Sequence, residues 1–436
     1  MSDTTTSLPT YPDFRSREFL LDHALRTMTF YHPHCMDPAG GFYHFYKDDG
    51  TLYDRKSRHL VSSTRFVFNY AMAYKHFGLD EYRGGVRHGI EYLREFHRNP
   101  QTGGYAWTLD GRDVTDATNH CYGLAFVVLA YAKALEAGFE EARGYLEETW
   151  DLMETHFWDA AHGLYKDEAS ADWVVSDYRG QNANMHACEA MLAAFEASQD
   201  VRYLDRAALL ADNMVNRQAA LAGGLVWEHY KPDWSVDWEY NKGDKTNIFR
   251  PWGFQPGHQT EWAKLLLILD RHRPDPWHVT RARELFDRAL DFSWDHEHGG
   301  MVYGFDIKGE FYDEDKYFWV QAESLAAAAL LADQAAHAGD AATATRYWND
   351  YDRLWTYSWD HFVDHKWGAW YRILARDNTK YSNEKSPAGK VDYHTMGACY
   401  EVLNVVLTKY GDGVVPQYDA PLASHPESTI NERIQT

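Results

Sequence analysis

The chain has 436 residues, enough for one large closed domain or for two or three ordinary ones, so a sizeable core is within reach. Lys and Arg number 43 against 65 Asp and Glu, a formal net charge of -22 without a lysine-rich block, which speaks against nucleic acid or an anionic membrane as partner. Four cysteines, Cys35, Cys121, Cys188 and Cys399, form no CxxC pair and so suggest neither a disulfide framework nor a cysteine zinc site.

The first residues, MSDTTTSLPTYPDF, lack the basic start and apolar stretch of a secretory signal. Apolar runs such as LAAAALLA, residues 325 to 332, fall far short of the roughly 18 residues needed to cross a bilayer. A cytoplasmic protein is expected. Aromatic residues make up 16% of the chain, with 17 Trp and 30 Tyr beside 23 His. Such rings either fill helix contacts or make flat walls for a ligand with apolar faces and polar edges, as sugars have.

In chain order, one unit returns six times. Aromatic-flanked glycine turns stand at DPAGGFYH, NPQTGGYAW, DAAHGLYKD, LAGGLVWEHY, DHEHGGMVYGFD and DHKWGAWYRI, with Gly40, Gly103, Gly163, Gly223, Gly299 and Gly368 spaced by 63, 60, 60, 76 and 69 residues. Each turn sits between short aromatic and β-branched runs, the pattern of a small hairpin. Before the turns lie amphipathic helical segments, such as EEARGYLEETWDLMETHFW, whose Ala142, Leu146, Met153 and Phe157 repeat at helical spacing. After them come segments apolar nearly all round: RFVFNYAMAY, CYGLAFVVLAYA, ACEAMLAAF, WAKLLLIL, SLAAAALLA and MGACYEVLNVV. Helices of that kind are buried on every side.

Six buried helices alternating with six amphipathic ones predict an all-α fold, a single (α/α)6 barrel from about residue 15 to 410 within one domain, 1–436. An open solenoid is the alternative, but six units without polar caps favour closure. The glycine-bearing connections all lead into inner helices, so the long loops gather at one end of the barrel, where function usually sits. The longest, residues 231 to 256, reads either as a lid or as a surface excursion with packed tryptophans. The tail after about 412 is polar and proline-bearing and has no assigned role.

The inner-helix starts at that end offer Arg58, His120, Asn182, His186, His258, Glu261, Trp319, Glu323 and His394. A lone histidine at a helix start is ordinarily a cap, but six starts that face one centre make unused ionisable groups costly. Two histidines on opposite walls can take and return a proton near neutral pH. Glu261, one turn from His258, is expected to orient that ring, and Arg58 to supply a fixed cation for developing oxygen charge. These groups suit proton abstraction next to a carbonyl. The chain contains no HExxH, GxSxG, GxxxxGK[ST] or strand-linked GxGxxG, so neither a metal nor a nucleotide cofactor is implied.

Five stretches in order, RHLVSSTRFVFNYA, NANMHACEAMLAAFEA, PGHQTEWAKLLL, KYFWVQAESLAA and DYHTMGACYEVL, resemble the N-acylglucosamine 2-epimerase family, and within it the mannose isomerase branch. The resemblance spans about residues 15 to 410. It implies an (α/α)6 barrel, no cofactor, a monosaccharide substrate and a cis-enediolate intermediate. By motif it makes His258 and His394 the proton-transfer pair. It further implies Arg58, Asn182, His186, Glu261, Trp319 and Glu323 as substrate-holding groups, with His120 at a comparable place. The first motif points to interconversion of D-mannose and D-fructose, with D-lyxose and D-xylulose as a second pair. A 2-epimerase of free monosaccharides is the alternative on the same site, and an (α/α)6 glycoside hydrolase the alternative of another class. Association into a homo-oligomer is left open.

Overall fold

A computed structural model describes residues 11–247 and 249–409, so the tail after about 412 lies outside the described residues. The helices are α1 (Arg17–Tyr31), α2 (Leu60–Phe77), α3 (Asp80–Tyr92), α4 (Cys121–Glu136), α5 (Ala142–His156) and α6 (Gln181–Ser198), then α7 (Val201–Ala211), α8 (Pro256–His272), α9 (Pro276–Ser293), α10 (Phe318–His337), α11 (Ala341–His361) and α12 (Tyr393–Lys409). Two of them, α3 and α7, run on as π-helical turns at Leu93–His97 and Asp212–Gln218.

The even-numbered helices form the inner ring: each packs on the next, and α12 packs on α2 to close it. Each of α3, α5, α7, α9 and α11 covers the inner helix before it, while α1 covers α12, the last inner helix. Burial follows the sequence pattern. Inner α10 is buried at every position from Val320 to Ala332. Outer α9 buries His278, Ala282, Leu285, Phe286, Ala289, Leu290 and Ser293, one stripe at helical spacing. The fold is the (α/α)6 barrel expected from the repeats.

All six turn glycines take positive φ, from 65° at Gly163 to 118° at Gly40. At Gly41 the need is also steric, because a Cβ there would lie 2.7 Å from the Tyr92 ring. One device ties the hairpins to the inner ring. A polar side chain near an inner-helix start accepts the backbone N–H of a hairpin residue: Asn119 from Tyr105 at 3.0 Å, Asn184 from Tyr165 at 2.7 Å, Gln259 from Val226 at 2.9 Å and Gln321 from Met301 at 3.0 Å. Asp392 does the same for Trp370 at 3.3 Å. These bonds satisfy buried backbone donors and lock each loop over the helix start it feeds.

Outer helices α1, α7, α9 and α11 are capped at their N-termini by Ser16, Asp200, Asp275 and Asp340. The inner helices α4, α6, α8 and α10 begin without a side-chain cap. Their positive dipole ends are directed toward the loop end of the barrel. All four cysteines are buried and unpaired. Among the described residues no helix is long and apolar enough to cross a membrane.

Candidate active site

His258, in the first turn of α8, and His394, in the first turn of α12, both pack against one indole. Their ring centroids lie 4.9 Å and 5.7 Å from that of Trp319, the second residue of α10. Gly257 makes this approach possible, since a Cβ there would meet the indole at 2.3 Å. Each imidazole is gripped through Nδ1 by a carboxylate: His258 by Glu228 at 2.9 Å and His394 by Glu323 at 2.6 Å. Nε2 of neither ring has a partner among the described residues, which leaves both free for substrate. Gln181 adds to the first pair, its Nε2 lying 3.1 Å from Glu228 and 2.9 Å from His258 Nδ1. The Trp262 indole N–H, a donor only, bonds Gln181 Oε1 at 2.9 Å and so fixes which way the amide faces.

Below these rings lies a buried charge cluster. Lys264 Nζ stands 2.6 Å from Glu323, 3.8 Å from Glu189 and 3.9 Å from Glu261. His186 binds Glu189 through Nδ1 at 3.0 Å, and Tyr393 donates to the other oxygen of Glu189. Burial works against ionisation of Glu189, but Lys264 and His186 hold its carboxyl well below the usual range. Glu261 is the opposite case. Both its oxygens are buried without a hydrogen-bond partner, and burial followed by the Glu323 charge pushes its pKa well above the ordinary value. Burial, with Arg65, His186 and Lys264 nearby, sets His394 well below an ordinary imidazole, so the ring is neutral at neutral pH. Two sets, His186–Glu189–Glu261 and Glu261–Glu323–His394, bring possible ligand atoms within 4.8 Å of one another. Lys264 already supplies the positive charge those carboxylates call for.

The structure therefore brings together His186, His258, Glu261, Trp319, Glu323 and His394. Asn182, half-buried in the first turn of α6, keeps an Oδ1 without a partner. His120 lies on an adjoining wall, its ring 4.0 Å from Trp107 and its pKa lowered by burial to about 4 despite Glu168. On the same wall Phe249, from the long 231–256 connection, stacks on His59 at 5.7 Å, while Arg250 of that connection pairs with Glu168. Two of the three tryptophans of this connection, Trp234 and Trp252, are buried, with Trp252 against Trp227, while Trp238 touches Trp227 but stays exposed.

Two expected relationships differ from those found. The ring of His258 is oriented by Glu228, from the loop before α8, and not by Glu261, which sits a turn deeper. Arg58 stands apart from the histidines: it pairs with Asp37 at 2.5 Å, donates to the carbonyls of Arg55 and Ser57, and lies under Tyr43. The arginine whose charge acts on His394 is Arg65, buried on α2, beside Lys264. Its guanidinium lies over Phe126 at 4.4 Å and Tyr393 at 4.8 Å and reaches Tyr122 Oη at 3.4 Å. As the one charge in the buried stretch Leu60–Ala73 of α2, Arg65 carried a signal in the sequence; Glu228, Gln181, Glu189 and Lys264 are further groups that sequence reasoning missed.

A model of the N-acylglucosamine 2-epimerase family matches residues 40–398. The chain belongs to that family. Among its members, D-mannose isomerase of Marinomonas mediterranea is 57% identical over 398 residues, 91% of this chain and 99% of that protein. A crystal structure of a D-mannose isomerase superposes with a TM-score of 0.87 at 57% identity, covering 91% of this chain and all 100% of the other. Cellobiose 2-epimerase from Bacillus thermoamylovorans shares the fold with a TM-score of 0.77 at 19% identity over 89% of this chain and 100% of that one.

Proposed function

We propose that the protein is an aldose–ketose isomerase that interconverts D-mannose and D-fructose, acting in the cytoplasm as a single barrel domain without metal or redox cofactor. The observation that carries this reading is the pair of imidazoles packed against Trp319, each anchored at Nδ1 by a carboxylate. The 57% identity to a D-mannose isomerase over most of both chains supports the choice of sugar.

The open-chain aldose acidifies its C2–H. His394, neutral and held by Glu323, removes that proton through Nε2; the electron pair forms the C1–C2 double bond and the carbonyl π electrons move to O1, giving an enediolate. Return of the proton to C1, with the O2 hydroxyl proton passed to O1, yields the ketose. His258, held by Glu228, is placed to handle the hydroxyl protons. Arg65 and the uncapped starts of α4, α6, α8 and α10 oppose the negative charge on the enediolate oxygens. Positioned acids and bases of this kind contribute about 10² to 10⁴ in rate each. Glu261 and Asn182 carry buried acceptor oxygens that are unpartnered in the structure and are proposed to serve the bound sugar. In Glu261 the raised pKa leaves a carboxylic acid that donates as well as accepts.

The deciding experiment is incubation with D-mannose and chromatography of the products. Fructose is expected; glucose alone would assign a 2-epimerase, and no change in mannose would refute the reading. EDTA is expected to leave turnover unchanged.

A further inference from the structure

The proposed base, His394, follows directly on an unusual backbone segment. Val391 and Asp392 take φ of 33° and 50°, left-handed values, although Val391 is β-branched and both residues are fully buried. A β-branched residue in that region is a steric outlier that persists only when its surroundings impose it. Here the surroundings are one face of α2. Ser62 Oγ accepts the Gly389 N–H at 2.7 Å, Arg65 donates to the Gly389 carbonyl, and Asn69 Nδ2 donates to the Val391 carbonyl at 2.7 Å. These three residues stand at i, i+3 and i+7, a single stripe of the helix. From the other side, Asp392 accepts from the Tyr31 hydroxyl, from Lys390, from the Trp370 N–H and from Thr395 Oγ1.

Asn69 has no other visible purpose. It is completely buried, its Nδ2 serves Val391 alone, and its Oδ1 has no partner, a cost an apolar residue would avoid. We infer that Asn69 is a positioning residue for proton transfer: by holding the Val391 carbonyl it keeps the 389–392 turn in its left-handed form and so aims His394 at the substrate carbon. Asn69 itself makes no hydrogen bond to Trp319 or to the two proton-transfer histidines. This rests on the reading of His394 as an essential base.

The test compares the wild-type protein, Asn69→Ala, Val391→Gly and the double variant on D-mannose. A wild type without turnover would sink the functional reading and not this one. With wild-type turnover established, Asn69→Ala is expected to lose at least about tenfold in kcat, with KM within about twofold and the helical circular dichroism retained. Adding Val391→Gly removes the steric penalty at that φ, so the turn can keep its form without the anchor, and kcat is expected to recover several-fold. Unchanged kcat in Asn69→Ala overturns the inference, as does a loss that Val391→Gly does not relieve. If Asn69→Ala fails to fold, Ser62→Ala, which loosens the same turn at Gly389, decides the matter: loss of kcat at constant KM, relieved by Val391→Gly, supports the inference, and wild-type kcat overturns it.

Discussion

His394 presents Nδ1 to Glu323 Oε1 at 2.6 Å, and the second oxygen of that carboxylate is taken by Lys264 at 2.6 Å. The carboxylate is thus shared between a ring it orients and a cation that neutralises it. Burial, reinforced by Arg65, His186 and Lys264, places the imidazole well below its ordinary pKa of 6.5. A base works unprotonated, and a lowered pKa keeps it so as the pH falls. The acid limb of kcat/KM for D-mannose is therefore expected below pH 6.5, with near-full activity at pH 6; a midpoint above 7 would show that His394 is not the titrating base.

Glu228 holds the other histidine. Glu228→Gln keeps the size of the side chain but removes the negative charge that fixes Nδ1–H of His258. We expect kcat to drop by about tenfold or more, within the span that one acid–base group contributes. Steady-state kinetics check this. Glu261→Gln, which leaves the His258–Glu228 pair intact, serves as the comparison that separates ring orientation from substrate holding.

Lys264 is the keystone of the buried charges. Lys264→Met leaves Glu323 and Glu189 facing one another without a counter-ion, and breaking a buried pair in this way costs about 3–5 kcal/mol. Urea unfolding should register that loss. Adding Glu323→Gln to the same chain should restore part of it, because one of the stranded charges is then gone.

Glu261 gives a pH signature of its own. Its folded-state pKa is raised, by burial first and then by Glu323, so the folded protein holds a proton that the unfolded chain releases above its value near 4.5. Stability is therefore lost progressively as the pH rises from about 5 toward the raised folded pKa. Glu261→Gln removes this dependence. The variant is expected to match the wild type near pH 4 and to exceed it by a margin that grows through neutral pH, measured as unfolding free energy across that range.

Much of the fold was legible because two periodicities reinforce each other: turn glycines every 60 to 76 residues, and apolar helices without a polar face between them. The site was legible where a residue's role depends on its place in the first turns of an inner helix, as for His258, Trp319 and His394. It was not legible where the partner comes from elsewhere. Glu228 reaches His258 across 30 positions, from a loop whose path only the folded hairpin determines. Glu261 was misread for a local reason: it shares a helical face with His258, yet side chains on a helix lean toward its N-terminus, so the histidine tips toward the chamber mouth while Glu261 stays deeper. Arg58 and Arg65 lie in the same motif, but Arg58 precedes α2 and is captured by Asp37, whereas Arg65 lies within the buried helix.

Because α1 is the outer cover for α12, the first of the described helices has no permanent berth until the last of them has been made. During vectorial synthesis the ring stays unsealed up to its sixth stave, with apolar flanks of α2 and α10 bared to solvent until α12 has been made. The imidazole borne by that final stave arrives last. A polypeptide halted between residues 258 and 393 thus carries half of the proton-transfer pair, and catalysis waits for α12.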